Sequence, residues 1–183
     1  MVTYVSMLRG INVGGQKRIK MEELIALYKS LGFNNVKTYV QSGNVIFNAA
    51  DGDTKGFSNM IEEKIKQVSS FPVAVLLRIP SELQQIINNN PFLEEKGIDN
   101  DKLYITFLSN APTESALIQM KDMHDESDKY VITNKEIYLY CPNSYDRTKF
   151  SNDFFERKLD VTATTRNWKT VNTLLKIANN QSG

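Results

Sequence analysis

The chain of 183 residues has one cysteine, Cys141, and one histidine, His124. A lone cysteine excludes an internal disulfide and a cysteine-rich zinc site, and a lone histidine excludes a His-cluster metal centre. His124 also stands in an acidic run with Asp122, Asp125, Glu126 and Asp128, a solvated setting that makes a poor general base. No metal or cofactor is expected. Long apolar runs are missing too: the longest, residues 73–77, falls far below the roughly 20 residues that span a bilayer as a helix. The opening Met1-Val2-Thr3-Tyr4 lacks the basic start and apolar core of a signal peptide. The expectation is a cytoplasmic protein with no membrane partner. An excess of one charge sign is also lacking: the net charge is +1, too small to argue for a nucleic-acid footprint by itself.

What is present is ordinary globular usage, 41% hydrophobic and 23% charged residues, which argues against disorder and for a packed core. Charge is unevenly spread. Residues 1–80 carry 10 basic against 6 acidic side chains, residues 81–144 carry 5 against 11, and residues 145–183 carry 7 against 4. Two basic ends flank an acidic middle.

Residues 2–8 read as a strand, followed by a glycine-bearing stretch over 9–18. Met21, Leu24, Leu27, Tyr28 and Leu31 recur at helical spacing, and Gly32 stops the helix. Strands at 36–40 and 45–47 flank Gln41-Ser42-Gly43-Asn44, a hairpin signal. Phe57, Met60, Ile61, Ile65 and Val68 mark a second helix, and Val73, Val75, Leu77 and Ile79 alternate as a fourth strand. This β-α-β-β-α-β order is the split βαβ, or ferredoxin-like, unit. Residues 81–101 form a linking helix capped by Ser81, then a linker. The order then recurs: a strand at 103–108, a helix at 113–123, a hairpin across Asn134-Lys135, a helix marked by Phe150, Phe154 and Leu159, and a strand at 161–165. A last helix carries Trp168, Val171, Leu175 and Ala178 on one face. The predicted fold class is α+β: two tandem ferredoxin-like domains, residues 1–80 and 102–183, with mainly antiparallel sheets and helices on one face.

Three segments carry a family resemblance: the opening Tyr4-Val5-Ser6-Met7-Leu8-Arg9-Gly10-Ile11-Asn12-Val13-Gly14-Gly15, then Thr38-Tyr39-Val40-Gln41-Ser42-Gly43-Asn44-Val45-Ile46-Phe47, and finally Ala163-Thr164-Thr165-Arg166-Asn167-Trp168-Lys169-Thr170-Val171. In this order they resemble the bacterial family of unknown function DUF1697, over essentially the whole chain. The resemblance implies tandem ferredoxin-like domains in a cytoplasmic bacterial protein. It implies no activity, ligand or catalytic residue.

Function therefore rests on the residues. A strand, glycine loop and helix in succession can present backbone N–H groups to an anion. Here the loop also carries Arg9, Lys17, Arg18 and Lys20, with no carboxylate before Glu22. Gly10 and Gly15 have Walker A spacing, but Gln16 follows where lysine is needed, and no hydroxyl stands ready for magnesium. Gly10, Gly14 and Gly15 do not make a dinucleotide fingerprint either. Two readings stay open: a phosphate-cradling loop, or glycines that only permit a tight turn. The split βαβ topology brings the first loop, the hairpin bend and Ser69-Ser70 to one sheet edge. The predicted ligand site there is Arg9, Asn12, Gly14, Gly15, Lys17, Arg18, Gln41, Ser42 and Asn44. The second domain offers Tyr145, Lys149, Thr165, Arg166 and Asn167 as another anion site, with Thr165 or Asn167 capping the last helix. Tyr138 and Tyr140 share a strand face, and core packing is favoured over base stacking for them. The leading expectation is a binding protein for a phosphate-bearing ligand, a nucleotide or nucleic acid. The alternatives are an enzyme on an anionic metabolite, using Tyr39, Tyr145 or Lys149 as acid or base, and a homo-oligomeric interaction protein. No catalytic residue is assigned.

Overall fold

The computed structural model describes residues 1–182. The chain falls into two compact units, one of residues 1–85 together with the chain from Thr173 onward, the other of residues 86–172.

In the first unit, β1 (Val2–Leu8), α1 (Met21–Ser30), β2 (Asn34–Tyr39), β3 (Asn44–Ala49), α2 (Thr54–Ser69) and β4 (Val75–Arg78) follow one another. The strands form one antiparallel sheet in the order β2-β3-β1-β4. Alternation along β1 sends Tyr4, Ser6 and Leu8 to one face and Thr3, Val5 and Met7 to the other. The first face packs on α1 and α2 through Leu24, Leu27, Tyr28, Ile61 and Ile65, with Tyr4, Phe33 and Phe47 in an aromatic cluster. The Ser6 and Tyr28 hydroxyls bond at 2.6 Å inside it, and burial pushes the Tyr28 phenol far above its ordinary value. Asp53 caps α2 by accepting from the N–H groups of Lys55 and Gly56.

The second unit repeats the plan. After α3 (Pro80–Asn88) come β5 (Leu103–Leu108), α4 (Glu114–Met120), β6 (Lys129–Thr133), β7 (Glu136–Tyr140), α5 (Asn152–Leu159), β8 (Ala163–Asn167) and α6 (Trp168–Ser182). Its sheet is antiparallel in the order β6-β7-β5-β8. Leu108, Ile137, Leu139 and Cys141 face α4 and α5 over Phe150, Phe155 and Leu159. Thr113 and Ser151 cap those helices through the N–H groups of Ala116 and Phe154.

The register shows a duplication that residue identity does not. Leu8 ends β1 opposite Val75, and Leu108 ends β5 opposite Ala163. Three residues later stand Arg78 and Arg166, paired with Val5 and Ile105. Both arginines are buried, and each donates Nη1 to the carbonyl of the residue before it, at 2.9 Å.

Three expectations are corrected. Helices do not keep to one face of the first sheet: the end of α6 reaches the opposite face, where Ser182 Oγ donates to Thr3 Oγ1 and Gln181 Nε2 to Asn48 Oδ1. The same bonds put the chain from Thr173 onward with the first unit rather than wholly in a domain of residues 102–183. Ser81 does not cap α3, because Pro80 already opens that helix and Ile79 accepts its first backbone bonds. No described helix is long and apolar enough to cross a membrane.

Candidate functional site: a basic β-finger

The segment after β1 folds as a miniature hairpin. The Asn12 N–H donates to the Lys17 carbonyl at 3.1 Å, the Gln16 N–H donates to the Val13 carbonyl at 3.1 Å, and Val13 and Gln16 form an antiparallel bridge. Gly14 and Gly15 are the two central residues of the turn, with φ of +60° and +74°, the pair of positive values a type I′ turn requires. The glycines therefore serve the turn. Val13 through Arg18 are exposed, while Ile11 and Ile19 are buried and anchor both ends of the finger.

The finger is clipped to the β2–β3 bend. Leu8 N–H donates to the Gly43 carbonyl at 2.8 Å. Asn12 Nδ2 donates to the carbonyls of Ile19 (3.0 Å) and Gln41 (2.8 Å), and Asn12 Oδ1 accepts from the Ile19 N–H. Gly43 fits beneath this contact at φ +87°, so close that a Cβ there would lie 2.7 Å from Ile11 Cδ1 and 2.9 Å from Leu8 Cβ. The two loops that topology brings to one edge are thus physically interlocked.

This reassigns some predicted ligand residues. Asn12 uses both amide N–H groups as the clip. Asn44 is fully buried and donates Nδ2 to the Tyr39 carbonyl and to Ser42 Oγ, so it holds the bend from inside. Arg9 is half-buried, its N–H bonded to the Ala74 carbonyl. Ser69 is occupied with the carbonyls of Ile65 and Phe71, four to five residues from the stretch that meets Arg9. What faces solvent is Gln16, Lys17, Arg18, Lys20, Gln41 and Ser42. Between finger, bend and the start of α1 lies an open cavity of about 580 Å³ lined by Gly15, Arg18, Lys20, Glu23 and Gln41, among others. The start of α1 is already served by carboxylates: Glu22 and Glu23 occupy its first turn, and Glu23 Oε2 accepts from the Lys20 N–H at 3.4 Å. An anion at this edge would meet side-chain cations rather than the helix dipole.

Of the second predicted cluster, Tyr145 and Arg166 interact electrostatically, while Thr165, Lys149 and Asn167 are engaged elsewhere. Thr165 and Arg166 are consecutive on β8, so their side chains leave opposite faces of the sheet. Thr165 Oγ1 bonds Thr106 Oγ1 and Asn152 Oδ1, each at 2.7 Å, on the α5 side. Arg166 Nη1 donates to Thr164 Oγ1 at 2.8 Å on the other. Burial pulls the Arg166 guanidinium down to about 10, opposed by Tyr145. Tyr145 stacks on Tyr104 with ring centroids 4.9 Å apart, Lys149 donates to the His124 carbonyl, and Asn167 Oδ1 caps α6 by accepting from the Thr170 N–H at 2.8 Å. Tyr138 is buried with its hydroxyl on the Ile86 carbonyl, so it is no stacking platform. Trp168 is half-buried. Among the described residues, no group of three or more His, Cys, Asp or Glu could hold a metal ion.

Fold and site together define an α+β protein of two like antiparallel sheets, one of which presents a clipped, cationic finger. The chain belongs to the family described as protein of unknown function (DUF1697), whose model matches residues 1–138. It is also similar to the solved structure of a conserved bacterial protein, SP0830 from Streptococcus pneumoniae, at 21% identity and a TM-score of 0.73, covering 97% of this chain and 98% of that one. No curated protein matches the sequence.

Proposed function

We propose that the two units are ferredoxin-like modules and that the chain binds a phosphate-bearing polyanion, a nucleic-acid strand in particular, through its basic β-finger. The strand order and the all-antiparallel pairing in both units support the first part. The observation that carries the second is a hydrogen-bonded finger with Lys17 and Arg18 exposed and Lys20 at its root. Its base is fixed by the Asn12 clip and the tight seat of Gly43. Fixing the backbone before binding removes part of the ordering cost of the contact. An open edge suits a backbone that passes by, whereas a free nucleotide is held best in an enclosed pocket. Lysine and arginine side chains neutralise successive phosphates and release counterions.

The test is fluorescence anisotropy of labelled single-stranded RNA, single-stranded DNA and duplex DNA from low to moderate salt. The expected result is binding that weakens with salt. In the Lys17→Ala/Arg18→Ala variant the salt slope should drop by about 2, one for each lost phosphate contact. Absence of binding at low salt, or an unchanged slope in that variant, would overturn the reading.

A further inference from the structure

We propose that the second unit holds a separate site for a phosphomonoester bearing free hydroxyls, such as a sugar phosphate or a nucleoside monophosphate. The site is the groove between the β5–α4 connection and the end of α5. The groove has a volume of about 590 Å³, within the size range of small-molecule pockets. It lies at the edge that the duplication makes equivalent to the finger edge. Leu8 N–H bonds the bend at Gly43 and Arg9 N–H bonds Ala74; in the second unit Leu108 N–H bonds the bend at Lys135 and Ser109 N–H bonds Thr162. In both units the first β–α connection is one wall of the cavity. The short loop over residues 109–113 has no finger and no basic side chain. Cations come instead from the opposite wall.

That wall is the last turn of α5, where Arg157 and Lys158 line the groove. Arg157 Nε bonds the Asp153 carbonyl at 3.4 Å, which holds the side chain along the helix and leaves its terminal nitrogens out of that bond. Guanidinium and ammonium groups together suit a phosphate dianion. Across the groove stand the hydroxyls of Thr113 and Ser115, and Ala116 and Leu159 are buried beneath.

 Leu159 and Ala116 supply an apolar floor to this polar rim, the mixed lining that small-molecule sites show. Asp160 also lines the groove. A lone carboxylate repels a bare anion but accepts hydrogen bonds from sugar hydroxyls, and this selects a phosphorylated polyol over inorganic phosphate.

The experiment is a ¹H–¹⁵N correlation titration of the full chain with glucose 6-phosphate, adenosine monophosphate, inorganic phosphate and glucose. Saturable shifts are expected at residues 110–119 and 157–161, with either phosphomonoester binding more tightly than inorganic phosphate or glucose. Arg157→Ala/Lys158→Ala should weaken binding about tenfold or more, while Lys17→Ala/Arg18→Ala leaves it unchanged. Asp160→Asn should narrow the preference for the phosphomonoester over inorganic phosphate. Shifts that are absent, that map to the finger alone, or that survive Arg157→Ala/Lys158→Ala would overturn the proposal. The finger reading is judged by its own variant, so the two fail separately.

Discussion

Gly43→Ala tests the interlock between finger and bend most directly. Two costs arise at one atom. The residue has φ +87°, and a left-handed backbone costs an L-residue about 1–2 kcal/mol. The added methyl would sit 2.7 Å from Ile11 Cδ1, 2.9 Å from Ile11 Cγ1 and 2.9 Å from Leu8 Cβ. Leu8 Cβ is fixed to a central strand and Ile11 is buried, so neither yields freely, and overpacking of this kind costs about 1–3 kcal/mol. Together the substitution should cost about 2–5 kcal/mol, a large share of the roughly 5–15 kcal/mol that holds a domain folded. For a unit of this size that corresponds to a Tm lower by about 10–30 °C. Gly14→Ala is the control. Its φ is +60°, but nothing lies within 4 Å of the added carbon, so only the backbone term of about 1–2 kcal/mol applies. Urea denaturation followed by circular dichroism measures both, with the m-value reporting whether the folded state stays compact. A Gly43→Ala protein within about 0.5 kcal/mol of the parent, or a Gly14→Ala protein that loses as much as Gly43→Ala, would refute the packing argument.

Asn12→Asp keeps the acceptor for the Ile19 N–H but replaces the two donors with a carboxylate facing the Ile19 and Gln41 carbonyls; it should cost about 1–3 kcal/mol by urea denaturation, and the finger amides should exchange faster with solvent. Cys141 is buried, and burial raises its thiol to about 11, so a thiol reagent at pH 8 should label it only when urea unfolds the chain. The unfolded thiol ionises near 9 and the folded one near 11, so the folded state retains the proton in between; the thiol's contribution is intact below pH 9 and declines as pH rises from 9 to 11, which unfolding of Cys141→Ala against the parent would isolate. Arg166→Ala should cost stability, about 1–3 kcal/mol from the unsatisfied Thr164 hydroxyl and Thr165 carbonyl, while the proposed nucleic-acid binding at the finger should stay as in the parent; an anisotropy titration showing a loss as large as that of Lys17→Ala/Arg18→Ala would place Arg166 in that binding instead.

The amino-acid order by itself determined the elements. Helical spacing from Met21 to Leu31, alternation in the strands, and Gly and Asn at bends are local signals, and local backbone preference decides them. Because β-α-β-β-α-β leaves few ways to lay out a sheet, the order also brought the first loop and the first hairpin bend to one edge, and these two loops do meet there. Boundaries moved by a few residues: β2 starts at Asn34, which pairs with Asn48 of β3, and α2 starts at Thr54, behind the Asp53 cap.

Side-chain direction was legible only in part. Topology places Thr165 and Arg166 together at the end of β8 beside the connection after β7, yet a strand sends neighbouring side chains to opposite faces. From sequence alone the amides of Asn12 and Asn44 are candidate donors to an anion; only tertiary structure shows them committed to backbone carbonyls. The Arg157–Lys158 groove has a faint signal in the sequence, two cations in the last turn of a helix, but its other wall comes from residues 110–119, in another element far earlier in the chain. The same holds for the end of α6, whose Ser182 finds Thr3 across 179 positions. Contacts of that span depend on how whole elements pack, and neither propensity nor spacing encodes them.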